Sequence, residues 1–457
     1  MGIKTLFDVK MLYVALVVTL ALVFVVNKFR PKNWLPDNTL VVLAGITLGI
    51  FMQYPSPTDL YQAMFATVFY EYLLPPIVFA ASLNQTRHTC ASLSFALGTV
   101  VFTTLFIGKW MELYIGDASC LMMGCLLWGV ILAPVSARYA IASHEMHEVE
   151  DLASFLPSGV NAWLQSETQL SGPIALVLFS SLMKSEGLNA SPMQSLEMFA
   201  KSLLGSLVMG ALFGLFASLT LKAPFGEERE PANSAYRQAG LVVVWAAASY
   251  VTAKYLSLSA VGALFATGVV MSNLAFAEVS AEAKYAAKVG SASVGAVFEG
   301  LILLYLSLSA TSSPAFAWEN LNSHMLVLVV CLLGRLLVSM VMVICFGACC
   351  GNSSLVAFMV GNLSGVKSVV PFVLALRLGQ VNVISSVTFV TVCTQIAIAP
   401  LFSLYLDCLK PAELEHNILP PPPSPKTLFE DYGRSRFRSN SGEITGKGEE
   451  DGYQTFA

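Results

Sequence analysis

Long apolar runs, separated by short interruptions rich in polar residues, glycine or proline, follow one another through most of this chain. Each run is roughly 16 to 25 residues long, which is the length that crosses the hydrocarbon core of a bilayer as an α-helix. The pattern predicts an all-α membrane protein with about thirteen transmembrane helices. The predicted spans are 11–26, 39–53, 61–83, 91–108, 118–142, 160–183, 196–221, 238–256, 258–276, 289–310, 324–348, 353–377 and 382–408.

The composition agrees with this pattern and excludes several other classes of protein. Only 12% of the 457 residues are charged, 56% are hydrophobic, and the mean hydropathy is +0.68. Soluble domains carry about twice that share of charge. The net charge of −4 and the lack of a basic stripe argue against nucleic acid as a partner. We find no metal-ligand spacing, cofactor motif or catalytic constellation, so we expect neither an enzyme nor a cofactor.

The composition changes abruptly near residue 410. Residues 1–409 form the predicted transmembrane domain, and residues 410–457, with LPPPPSP at 419–425, form a predicted disordered tail. The loops on the same side as this tail carry more Lys and Arg than those on the other side, which predicts a cytoplasmic tail. The proline run either docks into a partner protein or belongs to a plain solvated tail.

A few charged residues lie inside the predicted spans, where each costs about 3 kcal/mol to bury unless it faces a partner or a wet cavity. Arg138, Glu167, Glu299 and Arg335 lie on different predicted helices. They are expected to form a buried charge network. The simpler alternative is one ion pair between Glu299 and Arg335 that fixes helix packing and moves nothing, since the planar guanidinium matches a carboxylate.

Two predicted spans contain helix-breaking sequences. The fifth has Ala133-Pro134-Val135-Ser136, and the twelfth has GNLSGVKS at 361–368, followed by Pro371. Two broken helices on either side of the middle of a chain are typical of transporters with inverted repeats, whose binding site lies where the breaks meet. Either break alone is weak evidence, because glycine and proline are common in membrane helices.

The order of these motifs resembles the sodium/proton exchanger branch of the monovalent cation:proton antiporters. The resemblance rests on YEYLLPPIVFAASLN in the third span, LSAVGALFATGVVMSN in the ninth and VFEGLILLYLSLS in the tenth, with Arg335 and GNLSGV (361–366) at matching positions. It implies an inverted-repeat antiporter fold with two broken, crossing helices and a homodimer embedded in lipid. The implied activity is exchange of Na⁺ or K⁺ for H⁺ at a buried carboxylate.

The chain departs from the family pattern at its ion site. Where the family has Asp-Pro, this chain has Ala133-Pro134; where the family has Glu followed later by Asn-Asp, it keeps Glu167 but has Ser171 and Gly172. Both aspartates implied as ion ligands are therefore replaced. The expected ion-site region comprises Ala133, Pro134, Arg138, Glu167, Ser171 and Gly172.

Two positive residues have also appeared near this region. Arg138 follows Ala133 by five residues, about 7.5 Å along a helix, and Lys367 lies three residues beyond Ser364, which replaces a family arginine. Lys367 joins Glu299 and Arg335 in the expected charge network. Two functions stay open: cation/proton exchange carried by Glu167 or Glu299, and a non-transporting homologue that serves as a structural or regulatory membrane subunit. A related fold that moves an anion is a third.

Overall fold

The computed structural model describes residues 37–52, 59–83, 90–115, 122–135, 158–187, 192–222, 231–346 and 367–401, together with Val17 and Ala21. All regular structure in these residues is helical, which confirms the predicted all-α class for this part of the chain. Arg138, residues 361–366 and the predicted tail lie outside the described residues. Most of the predicted first span does too.

The first half of the chain contributes seven helices to the described structure, with one π-helical turn at Phe69–Leu73 joining the second to the third. They are α1 (Asp37–Met52), α2 (Asp59–Val68), α3 (Leu74–Leu83), α4 (Cys90–Ile115), α5 (Met122–Leu132), α6 (Ser158–Gly187) and α7 (Pro192–Lys222).

The second half contributes seven more, with π-helical turns at Met271–Ala275 and Thr394–Ile398 and a short 3₁₀ turn at Pro314–Phe316. They are α8 (Pro231–Tyr255), α9 (Ala260–Val270), α10 (Phe276–Glu278), α11 (Ala281–Ala310), α12 (Trp318–Phe346), α13 (Val370–Leu378) and α14 (Val381–Cys393).

Six of the described helical stretches are long and apolar enough to cross a membrane. Two shorter apolar stretches accompany them, Asn38–Phe51 and Ala260–Ala275. The predicted total of about thirteen spans stays a prediction. The six are Met64–Leu83, Ser94–Tyr114, Met193–Lys222, Glu282–Ala310, Trp318–Cys345 and Val381–Leu401.

Helix α11 begins earlier than the hydropathy pattern predicts. The predicted span starts at residue 289, whereas α11 begins at Ala281, after Ser280, whose hydroxyl accepts a hydrogen bond from the Ala283 amide. Glu282, Lys284 and Lys288 occupy the added turns. Apolar content marks only the membrane-embedded part of a helix, so polar turns that extend beyond it are missed.

The core of the described structure surrounds the last third of α11. Residues 302–308 on α11 are buried on every side, and the Tyr305 ring contacts those of Phe69 and Phe372 at centroid distances of 5.2 and 6.1 Å. By contrast, α7 presents apolar side chains such as Leu204 and Leu219 outward. Such a surface suits contact with lipid.

Helices α4 and α5 approach closely because two glycines lie at their contact. A side-chain carbon built on Gly129 would overlap the carbonyl oxygen of Thr104 and lie 3.1 Å from the amide nitrogen of Gly108. Only a residue without a side chain fits there. This contact fixes α5, whose last residue, Leu132, lies at the site described next.

Candidate functional site

Helix α5 ends where the sequence predicts an interruption. The Ala133 amide still donates to Gly129, 3.0 Å away, but Pro134 has no amide hydrogen with which to continue the helix. Residues 133–135 are buried and non-helical. The Val135 amide instead donates to the Ser171 hydroxyl on α6, at 3.3 Å. Ser171 therefore stabilises the end of the interruption. The helix that is predicted to resume afterwards lies outside the described residues.

A second buried, non-helical segment, residues 367–369, precedes α13. The Val370 amide donates to the Ser368 hydroxyl at 3.3 Å, and Pro371 follows in the first turn, where its missing amide hydrogen costs nothing. This segment is the end of the predicted twelfth-span interruption. Residues 361–366 lie outside the described part of the chain.

Lys367 joins the two non-helical segments. Its side chain is only 2% exposed, and its ammonium nitrogen donates a hydrogen bond to the carbonyl oxygen of Leu132. Its backbone amide donates to the Thr394 hydroxyl at 3.4 Å, and its carbonyl accepts from the Gln395 side-chain amide at 3.1 Å. The last carbonyls of a helix carry partial negative charge, so an ammonium group stabilises the end of α5.

A buried ion pair joins Glu167 on α6 to Arg335 on α12. We call this pair, together with Lys367 and its contact with Leu132, the centre. One guanidinium nitrogen (Nη2) of Arg335 lies 3.3 Å from the Glu167 carboxylate, and the side chains are 5% and 4% exposed. Glu167 and Arg335 are both members of the expected charge network, whose simpler alternative was a pair between Glu299 and Arg335. Ser171 follows Glu167 by four residues, which places both on one face of α6, beside the interruption.

Glu299 lies on α11 and interacts with the first turn of α1. Its carboxylate accepts a hydrogen bond from the Asn38 side-chain amide at 3.3 Å. The neighbouring Thr39 donates to the carbonyl of Gln395 at 2.8 Å. The start of α1 therefore connects Glu299 with the π-helical turn that holds the backbone of Lys367.

Ala133 and Gly172, the two positions expected to replace family aspartates, carry no charge. Ala133 is 4% exposed, and a side-chain carbon built on Gly172 would lie 3.7 Å from a methyl group of Val370, in ordinary contact. Among the described charges at this centre, Glu167 is negative, whereas Arg335 and Lys367 are positive. Glu299, which this network reaches through the start of α1, adds a second carboxylate, so the described network holds two carboxylates and two cations.

Four residues of this network were not predicted from the sequence: Asn38, Thr39, Thr394 and Gln395. For Thr394 and Gln395 the available signal was the run of polar side chains within the apolar span 382–408, which hydropathy alone does not rank. No cluster of three or more His, Cys, Asp or Glu side chains able to hold a metal ion occurs within the described ranges.

Comparison with known proteins gives consistent matches. The family model described as "Sodium/hydrogen exchanger, transmembrane" matches residues 14–406. Sodium/hydrogen exchanger 8 of Gallus gallus is 26% identical over 65% of this chain and 53% of its own length. Sodium/hydrogen exchanger 3 of Triakis scyllium is 23% identical over 62% of this chain and 34% of its own. The chain thus spans about a third to a half of these curated relatives.

The fold is also similar to a solved structure. The sodium proton antiporter MjNhaP1 from Methanocaldococcus jannaschii superimposes with a TM-score of 0.65. The match covers 88% of this chain and all of the antiporter, at 16% sequence identity. At that identity the likeness establishes the fold and not the chemistry of the site.

Proposed function

This chain belongs to the sodium/hydrogen exchanger family, and on that premise we propose that it exchanges a monovalent cation, Na⁺ or K⁺, for protons across a membrane. It is a multi-pass integral membrane protein with an antiporter fold. We further propose that the complete chain has about thirteen spans in inverted repeats. Its two broken helices cross where Lys367 binds Leu132, and it works as a homodimer in lipid.

The observation that carries the proposal is the position of the Glu167 carboxylate. It is buried one helical turn from Ser171, which binds the end of the first non-helical segment. A carboxylate binds either a proton or a cation, so competition for one negative group couples the two fluxes. With alanine and glycine at the aspartate positions, Glu167 is the acid that we assign to this role.

The ion pair with Arg335 supports the same assignment. When Glu167 takes up a proton or a cation, its attraction to Arg335 weakens, and the contact between α6 and α12 loosens. A helix contact whose strength follows the occupancy of the site is what alternating access requires. The guanidinium of Arg335 carries a permanent positive charge, so it attracts the Glu167 carboxylate.

Transport by the unmodified protein is the first test. We expect purified full-length protein in liposomes with an internal pH dye to show proton flux when a Na⁺, K⁺ or Li⁺ gradient is applied. Protein-free liposomes and an equal gradient of impermeant organic cation serve as controls. Absence of flux for every cation, from protein that is correctly inserted, would reject exchange.

A second function is favoured by the Lys367 contact. The ammonium group occupies the end of α5, next to Ala133, and Lys367 and Arg335 already place two positive charges in the surroundings of Glu167. A third cation would be repelled there. We therefore keep the alternative of a non-transporting homologue that acts as a structural or regulatory subunit, and a protein partner that co-purifies at a fixed ratio would support it.

Restoring the acids tests both functions. In a variant with Ala133→Asp, Gly172→Asp, Arg138→Gln and Lys367→Gln, we expect cation-driven flux at least about tenfold above a matched variant with asparagine at 133 and 172, a difference of about 1.4 kcal/mol. The asparagine variant keeps the side-chain shape and removes only the charge. Equal flux in two well-folded variants would contradict our placement of the ion site.

A further inference from the structure

Three polar side chains form a row along the buried face of α14 and its π-helical turn. Thr388, Thr391 and Gln395 are 1%, 0% and 1% exposed. They follow one another at spacings of three and four residues, which places them on one face. The row lies in the predicted span 382–408, where each polar group is removed from bulk water.

One oxygen of each side chain has no hydrogen-bond partner among the described residues. These atoms are the hydroxyl oxygens of Thr388 and Thr391 and the side-chain carbonyl oxygen of Gln395. Nearby hydroxyls on α14 and its π-helical turn are satisfied: Ser386 donates to the backbone carbonyl of Asn382 at 2.9 Å, and Thr394 donates to the backbone carbonyl of Thr391 at 3.0 Å. The three unsatisfied oxygens therefore do not reflect a general property of α14.

Leaving a buried oxygen without a partner costs about 1 to 3 kcal/mol. Buried polar groups in proteins nearly always bind either another protein group or an ordered water. The combined free-energy cost of three such oxygens in one row would exceed the destabilisation that most single substitutions cause. A ligand that donates hydrogen bonds removes that cost.

Two hydrogen bonds of Gln395, one through its side-chain amide nitrogen and one through its backbone carbonyl, fix the position of its side-chain oxygen. Its amide nitrogen donates to the Lys367 carbonyl, and its own backbone carbonyl accepts from Thr39. A metal cation does not fit this end of the row, since the ammonium group of Lys367 and the guanidinium of Arg335 already supply positive charge at the centre. A neutral donor fits.

We propose that Thr388, Thr391 and Gln395 hold a file of ordered water molecules inside the protein, which ends beside the backbone of Lys367. Seven residues of helix span about 10 Å, which accommodates three or four waters at hydrogen-bonding distance. The file hydrates the junction between α14, α1 and the segment that starts at Lys367. It does not depend on whether the protein transports ions.

Radiolytic footprinting tests this directly, because X-rays generate hydroxyl radicals from bound water inside a protein and nearby cysteines are oxidised. The full-length protein in liposomes carries Thr388→Cys or Thr391→Cys, with Val387→Cys and Val390→Cys as controls on the same helix, both 0% exposed. Peptide mass spectrometry measures oxidation of each introduced cysteine. We expect at least about fivefold faster oxidation at the two threonine positions. Equal rates at all four positions would overturn the proposal.

Thermal stability gives a second measurement in case a cysteine variant folds poorly. If the hydroxyl of Thr391 binds water, the isosteric Thr391→Val variant loses those hydrogen bonds, and its Tm falls by a few degrees. If the hydroxyl is dry and unpaired, removing it relieves a desolvation cost and raises the Tm. A rise would reject the water file independently of the footprint and of any flux measurement.

Discussion

Replacing Glu167 with glutamine is expected to reduce cation-driven proton flux at least about a hundredfold, to the level of protein-free liposomes. Glutamine keeps the shape of the side chain but neither binds a proton at neutral pH nor attracts a cation, so competition at the site disappears. The measurement is the initial rate of the internal pH dye after a Na⁺ or K⁺ gradient is applied.

Glu197→Gln is the matched control, because Glu197 is exposed and pairs only across one helical turn with Lys201. Its flux is expected to be unchanged, since exposed pairs contribute little. Full activity in Glu167→Gln would contradict our assignment and point to Glu299, the other buried acid that contacts this network.

Glu167→Gln removes both the ion pair with Arg335 and the carboxylate that is proposed to carry the proton or cation, so the two effects must be distinguished. Removing one partner of a buried pair costs about 3 to 5 kcal/mol, so Glu167→Gln is also expected to lower the Tm. The double variant Glu167→Gln/Arg335→Gln removes both charges and is expected to recover part of that stability. Its flux should stay at background, whereas flux that returned with stability would mean that the pair only supports packing.

Gly129→Ala is expected to have the largest effect on folding, a destabilisation of about 3 kcal/mol or more. The added carbon overlaps the Thr104 carbonyl oxygen and lies 2.9 Å from its carbonyl carbon. Both atoms belong to the backbone of α4, so no side-chain rotation relieves the clash and the two helices must separate. The measurement is the Tm of the purified protein and the fraction that remains monodisperse.

Gly240→Ala on α8 provides the control, since nothing lies within 4 Å of the added carbon. Alanine is the better helix former by about 1 kcal/mol, so this variant is expected to be neutral or slightly more stable. Equal Tm values for the two variants would show that α4 and α5 do not depend on the close contact that the structure gives them.

The sequence predicted the helices well and the contacts between them poorly. Apolar runs locate membrane helices because burial of apolar surface in lipid is a local property, whereas polar end turns such as those of α11 leave no such signal. Glu167 and Arg335 were expected to be buried, and the structure shows both. The choice of Glu167 over Glu299 as the partner of Arg335 depends on how α6 and α12 pack.

The Lys367 contact shows why the site could be foreseen only in part. Lys367 and Leu132 are 235 residues apart in the sequence. The partner atom is a backbone carbonyl oxygen, which every residue type has, so the residue type at position 132 does not indicate the contact. Gln395 binds the Lys367 carbonyl from a π-helical turn, and hydropathy does not distinguish such a turn from an ordinary α-helical turn. Ala133 and Gly172 were located by resemblance, whereas the burial of Ala133 and the contact of Gly172 with Val370 come from the structure alone.

The link between Lys367 and α5 has a consequence for how the centre meets its surroundings. A ligand carried on the same chain is present at an effective concentration set by the fold and not by the medium. The carbonyl of Leu132 therefore keeps its cationic partner in dilute and concentrated salt alike. Arg335 is likewise an intramolecular partner of Glu167, so under our proposal a cation from the solution must compete with Arg335 for this carboxylate.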